Sequence, residues 1–150
     1  MPDAGDVKRM AAIGRKVESW GVVVRWMPGW DSRGAAWARV PVGIIDHHDA
    51  ASIKSGEWGA LGYIVDNNLS QFQVARCLDD VPKIAINAAG RSAHAGVGAW
   101  RFPDGLAVPK DSGNAWLYGA EKANNGLGEP YTDAANYATD ALFRAVLEVC

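Results

Sequence analysis

The sequence predicts an α/β fold. Two observations carry this. Apolar residues recur at three- and four-residue steps near both ends of the chain, which is the signature of amphipathic helices. Between them lie short runs rich in Val and Ile, of the length and composition of buried strands. At 150 residues the chain is expected to form one domain, large enough to bury most of the surface its unfolded form would expose.

Val7, Met10, Ile13, Val17 and Trp20 form the first apolar stripe, so a helix is expected from about Asp6 to Trp20, with Gly21 as its stop. Val22-Val23-Val24-Arg25-Trp26 reads as a short strand. Pro28 to Gly34 is a loop by its Gly and Pro punctuation. The next strand, Val42-Gly43-Ile44-Ile45, runs straight into Asp46-His47-His48-Asp49. A buried strand delivers its last residues rigidly to the rim of a sheet, where open α/β sheets place ligands. Successive strand residues face opposite sides, so only one of the two histidines can face a given site.

From Ala51 to Asn68, Trp58, Leu61, Ile64 and Val65 fall at helical spacing and predict a helix. Gln71 to Cys77 alternates Phe72, Val74 and Arg76 against Gln71, Gln73 and Ala75, which predicts a strand. Asp79-Asp80 makes the turn to its hairpin partner, Lys83 to Ile86. Asn87 to Asn114 is a long Gly- and Ala-rich loop, of a length that compact domains keep for function. Trp116 to Glu121 is a strand ending in a carboxylate, and Tyr131 to Val149 is a helix with Thr132 as N-cap.

The net charge of −2 gives no electrostatic case for nucleic acid or an anionic membrane surface. The first six residues are too polar for a signal peptide, and no apolar run reaches membrane-spanning length, so the expectation is synthesis as a soluble protein in a cytoplasm, without membrane insertion. Cys77 and Cys150 do not make a disulfide framework. The seven tryptophans suit carbohydrate or peptide grooves, although core packing explains most tryptophans.

Three motifs stand in a recognisable order: an apolar strand running into Asp46-His47-His48-Asp49-Ala50, a loop reading Arg91-Ser92-Ala93-His94-Ala95-Gly96, and a strand reading Tyr118-Gly119-Ala120-Glu121-Lys122-Ala123-Asn124. With Trp26-Met27-Pro28-Gly29-Trp30-Asp31-Ser32-Arg33-Gly34 ahead of them, they resemble the zinc-dependent N-acetylmuramoyl-L-alanine amidases, the type 2 amidase and peptidoglycan recognition protein fold. The likeness is strongest to the amidase domains of endolysins from phages of actinobacteria, and covers about Pro28 to the end of the chain.

The resemblance implies a mixed central sheet flanked by helices, a Zn2+ cofactor in a groove, and hydrolysis of the amide between N-acetylmuramic acid and L-alanine in peptidoglycan. Residue by residue it implies His47 as a zinc ligand, Glu121 as general base, and His94 in the substrate cleft. His48, at the variable position beside the ligand, and Arg91, which suits a stem-peptide carboxylate, are further substrate-binding candidates. The family's second and third zinc ligands follow its last helix, and are expected beyond Cys150. The competing expectations are a peptidoglycan-binding module that does not cut, and an inactive fragment of the amidase domain. An endolysin would be made in the host cytoplasm and act on the cell wall.

Overall fold

The computed structural model describes residues 1–102 and 105–150. It is an α/β fold with a mixed central sheet flanked by helices. The elements are α1 (Ala4–Ser19), β1 (Val23–Trp26), β2 (Ile44–His48), α2 (Leu61–Asp66), β3 (Phe72–Val74), β4 (Lys83–Ile86), β5 (Trp100–Arg101), β6 (Ala107–Val108), α3 (Gly113–Trp116), β7 (Tyr118–Lys122) and α4 (Asp133–Val149). Five strands form the main sheet in the order β1-β4-β3-β7-β2, and β5 pairs with β6 in a separate small ribbon. β2, β7 and β3 run parallel to one another; β4 is antiparallel to β3 and parallel to β1.

The two long helices form where the periodicity places them. Asp3 caps α1, its carboxylate accepting the Asp6 N–H at 2.8 Å while the Asp6 carboxylate accepts the Asp3 N–H in return. Gly21, at φ 82°, turns the chain out of the helix. The Thr132 hydroxyl caps α4, accepting the Ala135 N–H at 3.1 Å. Both helices lie on one face of the sheet. Met10, Ile13 and Val17 from α1 and Ala138, Leu142 and Val146 from α4 bury themselves against Phe72, Val74, Ile84, Ile86, Tyr118 and Ala120. Each fully buried Leu, Ile, Val or Phe here contributes about 1.5–3 kcal/mol.

Four local expectations are revised. The helix expected from Ala51 to Asn68 is confined to α2, with only a single 3₁₀ turn, Ile53–Ser55, before it. Gly56 and Gly59 sit at φ 74° and 54°, outside the helical region, and the Asp49 carboxylate takes the Ala60 N–H that a continuous helix would use. The strand expected over Gln71 to Cys77 is limited to Phe72–Val74, because Arg76 turns its N–H to the Glu57 carbonyl and Cys77 adopts a positive φ. The Asn87 to Asn114 segment carries the β5/β6 ribbon and the start of α3; its residues Pro103 and Asp104 lie outside the described residues. Trp116 closes α3, and the strand begins at Tyr118.

Candidate functional site

The strand registers line up one row of residues across the sheet. His47 of β2 is paired with Glu121 of β7, and Glu121 with Gln73 of β3. Side chains directly across a sheet share a face, so His47, Glu121 and Gln73 stand side by side on the face opposite α1 and α4. All three lie near the carboxyl ends of parallel strands, the rim where open α/β sheets bind ligands.

His94 comes to the same face from the loop after β4. Its Nε2 lies 2.8 Å from the Leu117 carbonyl oxygen. A carbonyl only accepts, so Nε2 carries the proton and Nδ1 is left as an acceptor. The His94 side chain packs directly over Gly119, two residues before Glu121, where a Cβ would collide with it. Its centroid is 6.0 Å from that of His47. Burial pushes the His94 pKa down to about 4, and burial also lowers that of His47, partly countered by Asp46. Both imidazoles are therefore neutral at pH 7, the form that binds metals or accepts hydrogen bonds.

The Glu121 carboxyl is half-buried. Burial raises its pKa to about 7, with the nearby Asp49 carboxylate adding to the shift. That value suits proton transfer at neutral pH. Asp49 itself ties the rim together. Its Oδ1 accepts the N–H groups of Ala51 and Asn124 at 3.0 and 3.2 Å, and its Oδ2 accepts the Ala60 N–H and the Gln73 side-chain amide at 2.8 and 2.9 Å. Four bonds to one carboxylate hold the ends of β2, β3 and β7 and the loop before α2 in one arrangement.

The buried polar atoms on this face are conspicuously short of partners. His47 Nε2, Gln73 Oε1, both amide atoms of Asn87 and His94 Nδ1 have no protein hydrogen-bond partner. Buried polar groups are ordinarily paired, so a concentration of unpaired ones marks a place that receives water or a ligand.

The remaining sequence candidates are dispersed. His48 follows His47 in β2 and therefore points to the opposite face, where it is exposed beside Gly126, near the Asp46–Lys122 ion pair. Arg91 is half-buried, and its backbone bridges to Ala35. No carboxylate pairs with its guanidinium among the described residues. Two surface concavities of about 280 and 290 Å³ flank α4 and involve neither His47 nor Glu121.

Among the described residues no group of three His, Cys, Asp or Glu side chains is arranged to hold a metal ion. The unpartnered Nε2 of His47 fits the part of one imidazole ligand. Sequence reading alone missed Gln73 and the organising role of Asp49. The available signal was two glutamines alternating with Phe72 and Val74 in a strand, since a buried polar side chain needs a specific partner. Comparison of the chain with protein-family models, curated proteins and solved structures found no match to any of them.

Proposed function

We propose that this chain is a peptidoglycan hydrolase of the zinc-dependent amidase type, of the kind found in phage endolysins, and that it cleaves the amide between the lactyl group of N-acetylmuramic acid and L-alanine. The observation that carries the reading is the pairing of His47 with Glu121 on one face of adjacent parallel strands, with His94 against the same face. The motif order supplies the substrate class, and the same reading extends the fold to the amidase and peptidoglycan recognition protein type.

In this reading His47 offers its free Nε2 to zinc. Bound there, the metal would supply a Lewis acid for the scissile carbonyl and lower the pKa of water to about 7. The chain's own groups do the rest. Glu121 accepts a proton from the attacking water as the new C–O bond forms, and returns it to the alanine nitrogen as the C–N bond breaks. His94 Nδ1, held as an acceptor by the Leu117 carbonyl, is available to a substrate N–H. The tight packing of His94 on Gly119 keeps that acceptor in place.

The test is incubation of a soluble muramyl peptide with the protein in zinc-containing buffer, reading the released stem peptide by mass spectrometry. Release by the wild type, lost in Glu121→Gln with muramyl-peptide binding retained, is the expected outcome. Binding without release by the wild type would instead identify a non-catalytic peptidoglycan-binding module.

A further inference from the structure

The Gln73 side chain is fully buried. Its Nε2 donates to Asp49 Oδ2 at 2.9 Å and approaches the Trp58 carbonyl at 3.4 Å. Gln73 stands on β3 and Asp49 follows β2, and the sheet order puts β7 between those strands. The hydrogen bond therefore spans β7 from the level of Glu121, which pairs with Gln73, to Asp49, whose N–H bonds the Lys122 carbonyl, and it lays the Gln73 amide toward the strand that carries this carboxyl. Asp49 can only accept from the amide nitrogen, which fixes the amide's orientation and leaves Oε1 as the free end. That oxygen is buried and unpartnered.

An amide oxygen and an ionised carboxylate are both acceptors, so with Glu121 deprotonated they cannot bond to each other directly. A donor with two hydrogens satisfies both at once, and water is the smallest such donor. We propose that Gln73 is a positioning residue: its Oε1 and the Glu121 carboxylate together hold one water, which donates one hydrogen to each and presents its oxygen toward His47 and the substrate. Two acceptors fix a water's orientation where one leaves it free to rotate about a single bond. Asp49 acts one step further out, by preventing the Gln73 amide from turning its N–H groups inward. The role of this water in turnover rests on the amidase reading; its presence does not.

The decisive experiment is a crystal structure of the wild-type protein at a pH well above 7, where Glu121 is ionised, at a resolution that orders internal waters. The expected result is a water within about 2.6–3.2 Å of both Gln73 Oε1 and a Glu121 carboxyl oxygen. A direct Gln73–Glu121 contact with no water between them overturns the proposal. In solution, Gln73→Met keeps the side chain's bulk and removes the acceptor. It is expected to lower kcat on muramyl peptide by about tenfold to a hundredfold with KM within about twofold, the size of loss that misplacing a reacting group produces. Unchanged kcat in a folded Gln73→Met protein overturns the proposal. If that variant does not fold, the wild-type crystal structure still decides. Cleavage by a wild type that lacks the water leaves the amidase reading standing without this inference. A bound water in a wild type that does not cleave supports the geometry and removes the amidase reading.

Discussion

The two faces of the central sheet are built on different terms. The face under α1 and α4 is closed mainly by hydrocarbon: Phe72, Val74, Ile84 and Ile86 meet Met10, Ile13, Leu142 and Val146, and the Tyr118 hydroxyl is buried among them without a partner. The other face buries Gln71, Gln73, Asn87 and His94 in place of aliphatic side chains. Gln71 is satisfied within the protein, donating to the Gly90 carbonyl and accepting the Gly119 N–H. Gln73, Asn87, His94 and His47 keep atoms unpaired. One side of a thin sheet supplies most of the stability, which lets the other side carry most of the unsatisfied polar groups, each costing about 1–3 kcal/mol when left without a partner.

The largest effect expected from breaking this contrast is on the polar face. Glu121→Gln should lower muramyl-peptide hydrolysis by about 10²- to 10⁴-fold, the usual contribution of a proton-transfer group, with substrate binding retained. Mass-spectrometric assay of stem-peptide release beside a binding titration checks it. Next in size is Leu142→Ala on the helix face. Its side chain is fully buried, so truncation should cost about 2–5 kcal/mol in denaturant unfolding, while activity per folded molecule is unchanged.

A subtler prediction sharpens the comparison through pH. The folded-state pKa of Glu121 lies above its unfolded value, so protonation favours the folded state. That contribution is fully present below about pH 4.5 and is lost as pH rises through about 7. In chelator-treated protein Glu121→Gln should remove this loss. The variant should therefore be the more stable of the two at pH 8, by about 1–2 kcal/mol after the screening felt by a partly exposed carboxyl. Equal stability at pH 8 would show that Glu121 is not strained by its surroundings. The smallest effect belongs to a helix cap. Thr132→Ala should cost about 1 kcal/mol of stability in denaturant unfolding and leave the proposed hydrolysis unchanged per folded molecule.

What could be read in advance divides along the same line. α1 and α4 were legible because a helix facing a hydrocarbon core repeats its apolar residues at a fixed spacing, and the Thr132 cap acts locally; the Asp3 cap was not read, and α1 begins at Ala4, ahead of the expected Asp6. His47 and Glu121 were legible as strand ends from their motifs, and the opposite orientation of His48 follows from strand alternation alone. Contacts that depend on strand order were not. Asp49 and Gln73 are 24 residues apart, and nothing local says that β7 will lie between their strands. The segment before α2 failed for a related reason. Its apolar spacing favoured a helix, while the long-range bond from Asp49 to the Ala60 N–H and the positive φ of Gly56 and Gly59 hold it as a loop. Local pattern yields to tertiary contact where the site is assembled.

The most direct test of the account is the zinc content of the purified protein, measured beside a His47→Ala variant. The account predicts that zinc taken up by the wild type is lost in the variant without loss of the fold, because His47 Nε2 is the one unpartnered donor the account assigns to the metal and the core lies on the other side of the sheet. No zinc in either protein after incubation with the metal, or the same zinc content in both, would contradict it.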